Sequence, residues 1–255
     1  MKAVILAGGK GTRLSEETLL KPKPLVEVGG MPILWHIMKI YSCYGINEFI
    51  ILCGYKGSMI KEYFSNYFLY NSDVTFDVAH HTKEILKNGT EPWKVTLIDT
   101  GAETMTGGRL KRAKDLVGNE TFCFTYGDGL SDVNVEDVID LHRKSRTIAT
   151  VTAMRHSSRF GILDIRDERV VKFSEKPLGE SDWLNSGFFV LEPAVFDVID
   201  GDQTVFEQEP LHRLVEKGQL TAYRHDGFFM GMDSLREKTI LEELWASGKT
   251  PWKVW

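Results

Sequence analysis

The chain has 255 residues, a formal net charge of −5 and 42% hydrophobic residues, which is an ordinary composition for a globular protein. The acidic balance, 36 Asp and Glu against 31 Lys and Arg, argues against a nucleic-acid binder, whose surface should be basic. No apolar stretch approaches the roughly 20 residues that span a bilayer. Three cysteines without CxxC spacing are typical of a reduced, cytoplasmic protein.

The first half of the chain alternates predicted strands and helices. Residues 2–7 form a nearly continuous apolar run, as expected for a parallel strand that is buried on both faces. Residues 31–44 carry apolar side chains at helical spacing, with Pro32 near the start and Gly45 just past the end. The alternation continues with strands at 48–53, 95–99 and 121–126 and with helices at 56–68, 108–117 and 134–144. Such units predict a parallel sheet.

The second half has a different pattern, in which short strands dominate. They are predicted at 148–154, 161–165, 170–174 and 187–191, and helices follow at 204–217 and 235–246. The segment 77–94 is the least regular part of the chain, and its Asn88-Gly89 pair favours an excursion loop. We therefore predict a single α/β domain over 1–255. It should have a Rossmann-like, mixed and mostly parallel central sheet with a smaller strand-rich part.

The strongest local motif directly follows the first predicted strand, where residues 6–13 read Leu-Ala-Gly-Gly-Lys-Gly-Thr-Arg. Its three glycines allow backbone N–H groups to face an anion, and Lys10 and Arg13 supply positive charge. The motif matches neither of two common phosphate loops. A Walker loop needs Ser or Thr where Gly11 stands, and a dinucleotide fingerprint needs glycine where Leu14 stands. A glycine-rich turn that binds no ligand is the alternative.

A second motif, Lys-Pro-Lys-Pro at 21–24, places Lys23 between two prolines that stiffen the backbone. Residues 1–30 hold five Lys or Arg against three Glu, although the whole chain is acidic. This local positive charge suits a small polyanionic ligand. A solvated charged loop remains an alternative explanation.

Two aspartates are candidate metal ligands. Asp128 lies between two glycines at the end of the strand 121–126, where open parallel sheets bind ligands, although it could instead cap the next helix. Asp233 stands just before the helix 235–246 and, taken alone, is better explained as its N-cap. Two carboxylates that converged on a triphosphate would suit Mg²⁺. The histidines show no metal-ligand spacing.

Together, the glycine loop, Lys-Pro-Lys-Pro-Leu at 21–25 and Gly-Asp-Gly at 127–129 resemble the sugar-phosphate nucleotidyltransferases. The resemblance covers residues 1–255 and includes Thr-Met-Thr-Gly-Gly-Arg-Leu-Lys at 104–111 and Pro-Trp-Lys-Val-Trp at 251–255. Within this family the chain is most similar to bacterial members that make CDP-glucose and pyrophosphate from MgCTP and glucose 1-phosphate. Such members serve deoxysugar and lipopolysaccharide O-antigen synthesis. The resemblance also implies a homo-oligomer, for example a hexamer.

The resemblance implies a role for each matching position. It places a nucleotide-binding part over about 1–130 and a sugar-phosphate-binding part over about 131–255. The nucleotide site would comprise Leu6, Ala7, Gly8, Gly9, Lys10, Gly11, Thr12, Arg13, Lys23, Thr104, Gly108, Arg109 and Asp128. The sugar-phosphate site would comprise Tyr126, Gly161, Glu175, Lys176, Asn185 and Gly187. Asp128 and Asp233 would hold Mg²⁺, and the catalytic set would be Arg13, Lys23, Asp128, Lys176 and Asp233.

The implied reaction is nucleotidyl transfer, in which a sugar phosphate oxygen attacks the α-phosphorus of the nucleotide. No general base is needed, because that oxygen is already anionic. A non-catalytic nucleotide-sugar-binding protein would be expected to lack Lys23 or a metal carboxylate, yet all are present. The missing third glycine disfavours an NAD-dependent oxidoreductase. Departures from the family pattern at Ser186, 155–158 and 229–232 leave open another sugar phosphate or nucleotide.

Overall fold

The structure is a computed structural model that describes residues 1–155, 162–166, 168–174 and 183–255. Its strands, in chain order, are β1 Ala3–Ala7, β2 Glu27–Val28, β3 Met31–Pro32, β4 Glu48–Cys53, β5 Ser72–Asp77, β6 Thr82–Asn88, β7 Lys94–Asp99, β8 Phe122–Tyr126, β9 Gly129–Ser131, β10 Ala149–Arg155, β11 Ile162–Arg166, β12 Arg169–Ser174, β13 Trp183–Asn185, β14 Phe189–Leu191, β15 Leu220–His225 and β16 Phe229–Gly231. Its α-helices are α1 Ser15–Thr18, α2 Ile33–Cys43, α3 Gly57–Tyr70, α4 Thr106–Lys111, α5 Lys114–Val117, α6 Val135–Ser145, α7 Glu209–Glu216 and α8 Leu235–Ala246. Short 3₁₀ turns lie at Thr12–Leu14, Lys23–Leu25 and Pro193–Val198.

Ten strands form one central sheet in the order β13-β11-β12-β15-β10-β14-β8-β1-β4-β7. The strands β8, β1, β4 and β7 pair in parallel, as the alternating first half of the sequence predicts. The strand β14 runs antiparallel between β8 and β10, and β12 and β13 also oppose the majority direction. The predicted α/β fold with a mixed, mostly parallel sheet is therefore confirmed.

The central sheet is covered on both faces, which explains the continuous apolar runs in its middle strands. Successive residues of β1 belong to different cores: Ala3, Ile5 and Ala7 pack on one face, and Val4 and Leu6 pack on the other. The first core includes side chains of α2, α6 and α8, and the second includes α4, α7 and the 3₁₀ turn Pro193–Val198. Since neither face of β1 meets water, its sequence does not alternate.

Some predicted boundaries are correct and others are wrong. Strand β4 and helix α8 match their predicted limits. The helix predicted at 108–117 is instead two short helices, α4 and α5, which are separated where Arg112 bonds Asp202. The helix predicted from residue 204 begins only at Glu209, where Pro210 stands in the first turn and presets the helical φ. Strand β14 begins after Gly187 and Phe188, which both have positive φ angles.

The excursion loop predicted at 77–94 is wrong for about half of its length, because 82–88 form β6, whereas 89–93 have no regular secondary structure. Strands β5 and β6 pair antiparallel there as a hairpin that is separate from the central sheet. Their side chains are mostly exposed, including Phe76 and Leu86. Because neither face of this hairpin is buried, its sequence lacks the alternation that marks a half-buried strand.

The C-terminal tail packs against α2 through polar as well as apolar contacts. The fully buried indole of Trp252 donates a hydrogen bond of 3.3 Å to Nδ1 of His36, whose Nε2 lies 2.8 Å from the carbonyl oxygen of Val28. These partners require the tautomer of His36 that carries its proton on Nε2.

Among the helices of the described residues, none combines the length and the apolar character that a membrane span requires.

Candidate active site

A short strand pair brings the two candidate metal ligands together. Strands β9 and β16 run antiparallel with Gly129 opposite Gly231, and the amide of Met232 donates to the carbonyl oxygen of Asp128 at 2.8 Å. Asp128 just precedes β9 and Asp233 closely follows β16, so both carboxylates emerge at the same end of this pair. Asp128 lies two residues after the end of β8, at the carboxyl edge of the central sheet, as predicted.

The ammonium group of Lys23 lies between these two carboxylates. Its Nζ atom is 2.6 Å from Oδ2 of Asp128 and 2.6 Å from Oδ1 of Asp233. Burial alone would lower the pKa of Lys23, but the charges and hydrogen bonds of the two aspartates outweigh burial and raise that pKa. Lys23 is therefore held as a buried cation, and its alternative explanation as part of a solvated loop is wrong.

The simple capping alternatives for both aspartates are also wrong. The N-cap of α8 is Ser234, whose hydroxyl accepts from the amide of Glu237, while Glu237 accepts from the amides of Ser234 and Asp233. This capping box leaves the Asp233 carboxylate free to bind Lys23 and Arg13. The N-cap of α6, the helix that follows Asp128, is Asn134.

A cleft of about 530 Å³ opens over the glycine loop. Most of the predicted nucleotide-binding residues line it, namely Leu6, Ala7, Gly8, Gly9, Lys10, Gly11, Thr12, Arg13, Lys23, Thr104, Arg109 and Asp128. Sequence reasoning missed several further lining residues, namely Pro24, Ala102, Glu103, Met105, Thr106 and Gly127. The cleft therefore combines backbone amides with four cationic side chains, an arrangement that suits a polyphosphate.

Gly108 does not line the cleft, although it was predicted to belong to the nucleotide site. A Cβ atom added there would lie 2.4 Å from the carbonyl oxygen of Asp202, so the missing side chain lets another loop approach α4. The neighbouring Gly107 similarly faces Thr204. These glycines shape the wall of the cleft from behind and do not open it to a ligand.

The buried guanidinium of Arg109 holds one wall of the cleft in place. Its Nη1 donates to the hydroxyl of Thr100 at 2.6 Å and to the carbonyl oxygen of Gly101 at 2.7 Å, and Nη2 donates to Ala102. A Cβ atom on Gly8 would lie 2.3 Å from this guanidinium. The first glycine of the loop is thus required for close approach to Arg109.

Two ion pairs cross the cleft and hold cationic side chains of the glycine loop. Arg13 donates a hydrogen bond of 2.7 Å to Asp233, while much of its side chain is exposed to the cleft. Lys10 forms a pair of 2.8 Å with Glu103 on the facing loop, and both side chains are exposed. A bound polyanion would compete with these carboxylates for the two cations.

Three of the predicted sugar-phosphate residues lie together, with Tyr126 lining the cleft and Asn185 and Gly187 next to Tyr126. The side-chain amide of Asn185 donates to the hydroxyl of Tyr126 at 3.3 Å, and its oxygen accepts from the amide of Gly187 at 2.8 Å. Gly187 has a φ of +80°, and a Cβ atom there would lie 2.9 Å from the ring of Tyr126. The other three, Gly161, Glu175 and Lys176, lie outside the described residues, and the catalytic role of Lys176 stays a prediction.

The donors at this site fit a divalent cation of the magnesium type. Mg²⁺ uses one or two carboxylates together with substrate phosphates and water. Asp128 and Asp233 supply two such carboxylates, and the position of Lys23 shows that this spot stabilises a positive charge. Among the described residues there is no cluster of three or more His, Cys, Asp or Glu side chains that could hold a metal without a substrate.

The fold and this cleft define a nucleotide-utilising transferase, and comparison with known proteins agrees. The family model described as nucleotidyl transferase matches residues 2–228, so the chain belongs to that family. It is 58% identical over the whole of both chains to glucose-1-phosphate cytidylyltransferase of Salmonella typhimurium, and 57% identical, again over both whole chains, to that of Salmonella typhi. A solved UDP-glucose pyrophosphorylase from Acinetobacter baumannii shares the fold, with a TM-score of 0.75, 18% identity and coverage of 94% of this chain and 91% of that one.

Proposed function

We propose that this chain transfers a cytidylyl group from MgCTP to α-D-glucose 1-phosphate, giving CDP-glucose and pyrophosphate. The observation that carries the proposal is the 58% identity, over full length, to a glucose-1-phosphate cytidylyltransferase. The geometry supports the same class of reaction, because a glycine loop, four cations and Asp128 line one cleft, and Asp233 pairs with two of those cations. The nucleotide would occupy the part over about 1–130 and the sugar phosphate the part over about 131–255.

In this account the residues act by positioning and by charge. The amides of the glycine loop, with Arg13 and Lys10, bind the triphosphate, and Lys23 faces the phosphates at the reacting centre. Thr104 and the loop held by Arg109 contact the nucleoside. Tyr126, Asn185 and Gly187, with Gly161, Glu175 and Lys176, hold the sugar phosphate, and Lys176 meets its phosphate. The sugar phosphate oxygen attacks in line, and stabilisation of negative charge then supplies most of the catalysis.

Asp128 and Asp233 would hold Mg²⁺ in the proposed complex. The cation would neutralise negative charge on the reacting phosphates when it is bound. Lys23 pairs with both carboxylates in the structure, so we expect its ammonium to turn toward a phosphate when the cation and nucleotide bind. Arg13 pairs with Asp233 in the structure, and we expect its guanidinium likewise to turn toward a phosphate when the nucleotide binds.

Ser186 was a departure from the family pattern beside the sugar, but its buried hydroxyl donates to the carbonyl oxygen of Thr152 at 2.9 Å. Because that hydroxyl is already satisfied within the sheet, we infer that Ser186 does not select the sugar. A related transferase with another sugar phosphate or nucleotide is the alternative to be tested.

We further propose the setting in which the protein works. Its three free thiols suit the reduced cytoplasm, where CTP is available. The resemblance supports a homo-oligomer, with a hexamer as the assembly to test by light scattering. It also supports a role in making nucleotide sugars for deoxysugar or lipopolysaccharide O-antigen synthesis.

The experiment that tests the proposal is a substrate panel with purified protein. CTP, UTP, GTP, ATP and dTTP are each combined with glucose 1-phosphate, mannose 1-phosphate or galactose 1-phosphate, with and without Mg²⁺. We expect pyrophosphate release to be greatest for CTP with glucose 1-phosphate and to stop when the metal is chelated. Nucleotide binding without turnover in any combination would instead favour a non-catalytic binding protein.

A further inference from the structure

Glu207 lies behind the wall of the cleft and joins residues of two separate elements. Its Oε1 accepts a hydrogen bond of 2.6 Å from the hydroxyl of Tyr126, and its Oε2 accepts one of 2.6 Å from the hydroxyl of Thr106. Tyr126 ends β8 close to Asp128, and Thr106 begins α4 close to Thr104. Both hydroxyl-bearing residues line the cleft, while Glu207 does not.

The hydrogen bonds continue on both sides of Glu207. The amide of Phe206 donates to the hydroxyl oxygen of Thr106 at 2.8 Å. On the other side, the hydroxyl oxygen of Tyr126 accepts from Asn185, which in turn accepts from the amide of Gly187. A continuous chain of hydrogen bonds therefore runs from the start of α4 to the turn at Gly187.

The direction of every bond in this chain is fixed by chemistry. An ionised carboxylate can only accept, so both hydroxyl protons must point to Glu207. Each hydroxyl oxygen then accepts from its second partner, Phe206 or Asn185. Burial, together with the nearby charge of Glu207, raises the pKa of Tyr126 well above its usual value, so this phenol remains a donor. Because each group acts only as a donor or only as an acceptor in each bond, the hydrogen bonds define the position of the start of α4 relative to the end of β8.

We propose that Glu207 is a positioning residue that fixes two parts of the cleft relative to each other. These are the start of α4, on the nucleotide side, and the end of β8, on the sugar-phosphate side. Its carboxylate is the point at which the two sides meet, through Thr106 and Tyr126. This inference rests on the proposed function for the identity of the two substrates. Loss of the carboxylate frees both hydroxyls at once and lets β8, which leads to Asp128, shift against α4.

The test compares Glu207→Ala, Glu207→Gln and a matched control, Glu209→Ala. Glu209 is an exposed glutamate that begins α7, and its nearest cation, Arg213, is 3.9 Å away. For Glu207→Ala we expect kcat to fall by about 10- to 100-fold, because small misplacements of reacting groups have effects of that size. KM should rise for both substrates. Glu207→Gln should recover part of the loss, since an amide can still accept from one hydroxyl, and Glu209→Ala should match the wild type.

Two further variants separate the effect of the Glu207–Tyr126 hydrogen bond from that of the Glu207–Thr106 hydrogen bond. Tyr126→Phe removes only the sugar-side hydroxyl and should raise KM mainly for glucose 1-phosphate. Thr106→Val removes only the nucleotide-side hydroxyl and should raise KM mainly for CTP. Thr106→Val made on top of Glu207→Ala should add less than about twofold, because the carboxylate through which the Thr106 hydroxyl acts is already gone. Calorimetric binding of CTP gives a second readout that does not depend on turnover.

Three results would overturn the proposal. One is a Glu207→Ala protein with a lower Tm but unchanged kcat, KM values and CTP affinity, since Glu207 would then be merely structural. Another is a Glu207→Ala protein in which KM changes for one of the two substrates alone. The third is that the effects of Thr106→Val and Glu207→Ala are additive in the double variant. Failure of the proposed function looks different, because the wild-type protein would itself release no pyrophosphate from CTP and glucose 1-phosphate. The same variants are then compared with the substrate pair that the panel identifies.

Discussion

Lys23 and Asp233, which are 210 positions apart in the chain, form a buried ion pair with a distance of 2.6 Å. This contact joins the stiff Lys-Pro-Lys-Pro turn to the residue that precedes α8. Asp128 binds the same ammonium from the end of β8. Three distant segments therefore meet at one charge cluster, and Lys23 and Asp128 of this cluster line the cleft.

Replacing Asp233 by Asn should reduce kcat/KM by about 100-fold or more. An amide cannot neutralise a divalent cation, and metal binding to phosphates supplies several kcal/mol of transition-state stabilisation. The measurement is pyrophosphate release as a function of Mg²⁺ concentration, with Asp226→Asn as an exposed control. If Asp233→Asn kept full turnover and normal Mg²⁺ dependence, Asp233 would not be a metal ligand.

Ser234→Ala should lower the free energy of unfolding by about 1 kcal/mol, because Ser234 is the N-cap of α8. The same capping box positions the backbone of Asp233, so we also expect a moderate loss of kcat. Denaturant unfolding and steady-state kinetics check the two effects. Thr239→Ala is a control on the exposed side of the same helix. A fall in stability with unchanged kcat would show that the cap does not position Asp233.

Glu103→Gln should strengthen CTP binding by about two- to fivefold at low salt. The change releases Lys10 from its 2.8 Å ion pair, so that the ammonium can meet a phosphate without competition. The gain should shrink as salt is added, because exposed charges are screened. The control is Glu27→Gln, which breaks the similar exposed pair with Lys21 outside the cleft. Equal CTP affinities for wild type and Glu103→Gln at every salt concentration would contradict this prediction.

Acidification should loosen the C-terminal tail through His36. Burial lowers the pKa of His36 to about 4, below the value of 6.5 that is usual for an exposed histidine. The unfolded chain therefore binds a proton first, so the stability is fully present above pH 6.5 and is lost as pH falls toward 4. Between pH 7 and pH 5 the loss should be about 2 kcal/mol.

The control for this pH effect is His36→Gln. Its amide can donate to Val28 and accept from Trp252 as His36 does, but it does not titrate. Unfolding is monitored by tryptophan fluorescence at pH 7 and at pH 5. Between these two pH values the free energy of unfolding should decrease less for His36→Gln than for wild type. Parallel slopes for the two proteins would exclude His36 as the source.

Much of the fold can be predicted because the central strands and helices carry strong local patterns. The run that forms β1 is apolar on both faces, and α2 carries apolar side chains at helical spacing between Pro32 and Gly45. The hairpin of β5 and β6 was missed because its exposed faces give no apolar alternation. The break between α4 and α5 was missed because it coincides with a contact between Arg112 and Asp202, which are far apart in the chain.

The residues of the candidate site likewise fall into two groups, those with a local sequence signal and those whose role depends on long-range contacts. The glycine loop and Lys23 have local signals, since glycines and prolines mark special backbone conformations. Glu207 has none, because its importance arises only when Thr106 and Tyr126 come together in the folded chain. For Asp233, local reasoning favoured an N-cap, which the structure assigns to Ser234. A residue that acts through long-range contacts cannot be read from its neighbours in sequence.

The most direct test of the account is the ratio of kcat/KM for CTP and UTP at saturating glucose 1-phosphate. Cytosine presents an amino donor and an unprotonated ring nitrogen where uracil presents the opposite pattern. A loop that hydrogen-bonds this edge leaves buried polar groups unpaired with the wrong base, at a cost of about 1–3 kcal/mol each. We therefore expect CTP to be preferred by at least about 10-fold. Equal values, or a preference for UTP, would contradict cytidylyl transfer while leaving the nucleotidyl transferase family intact.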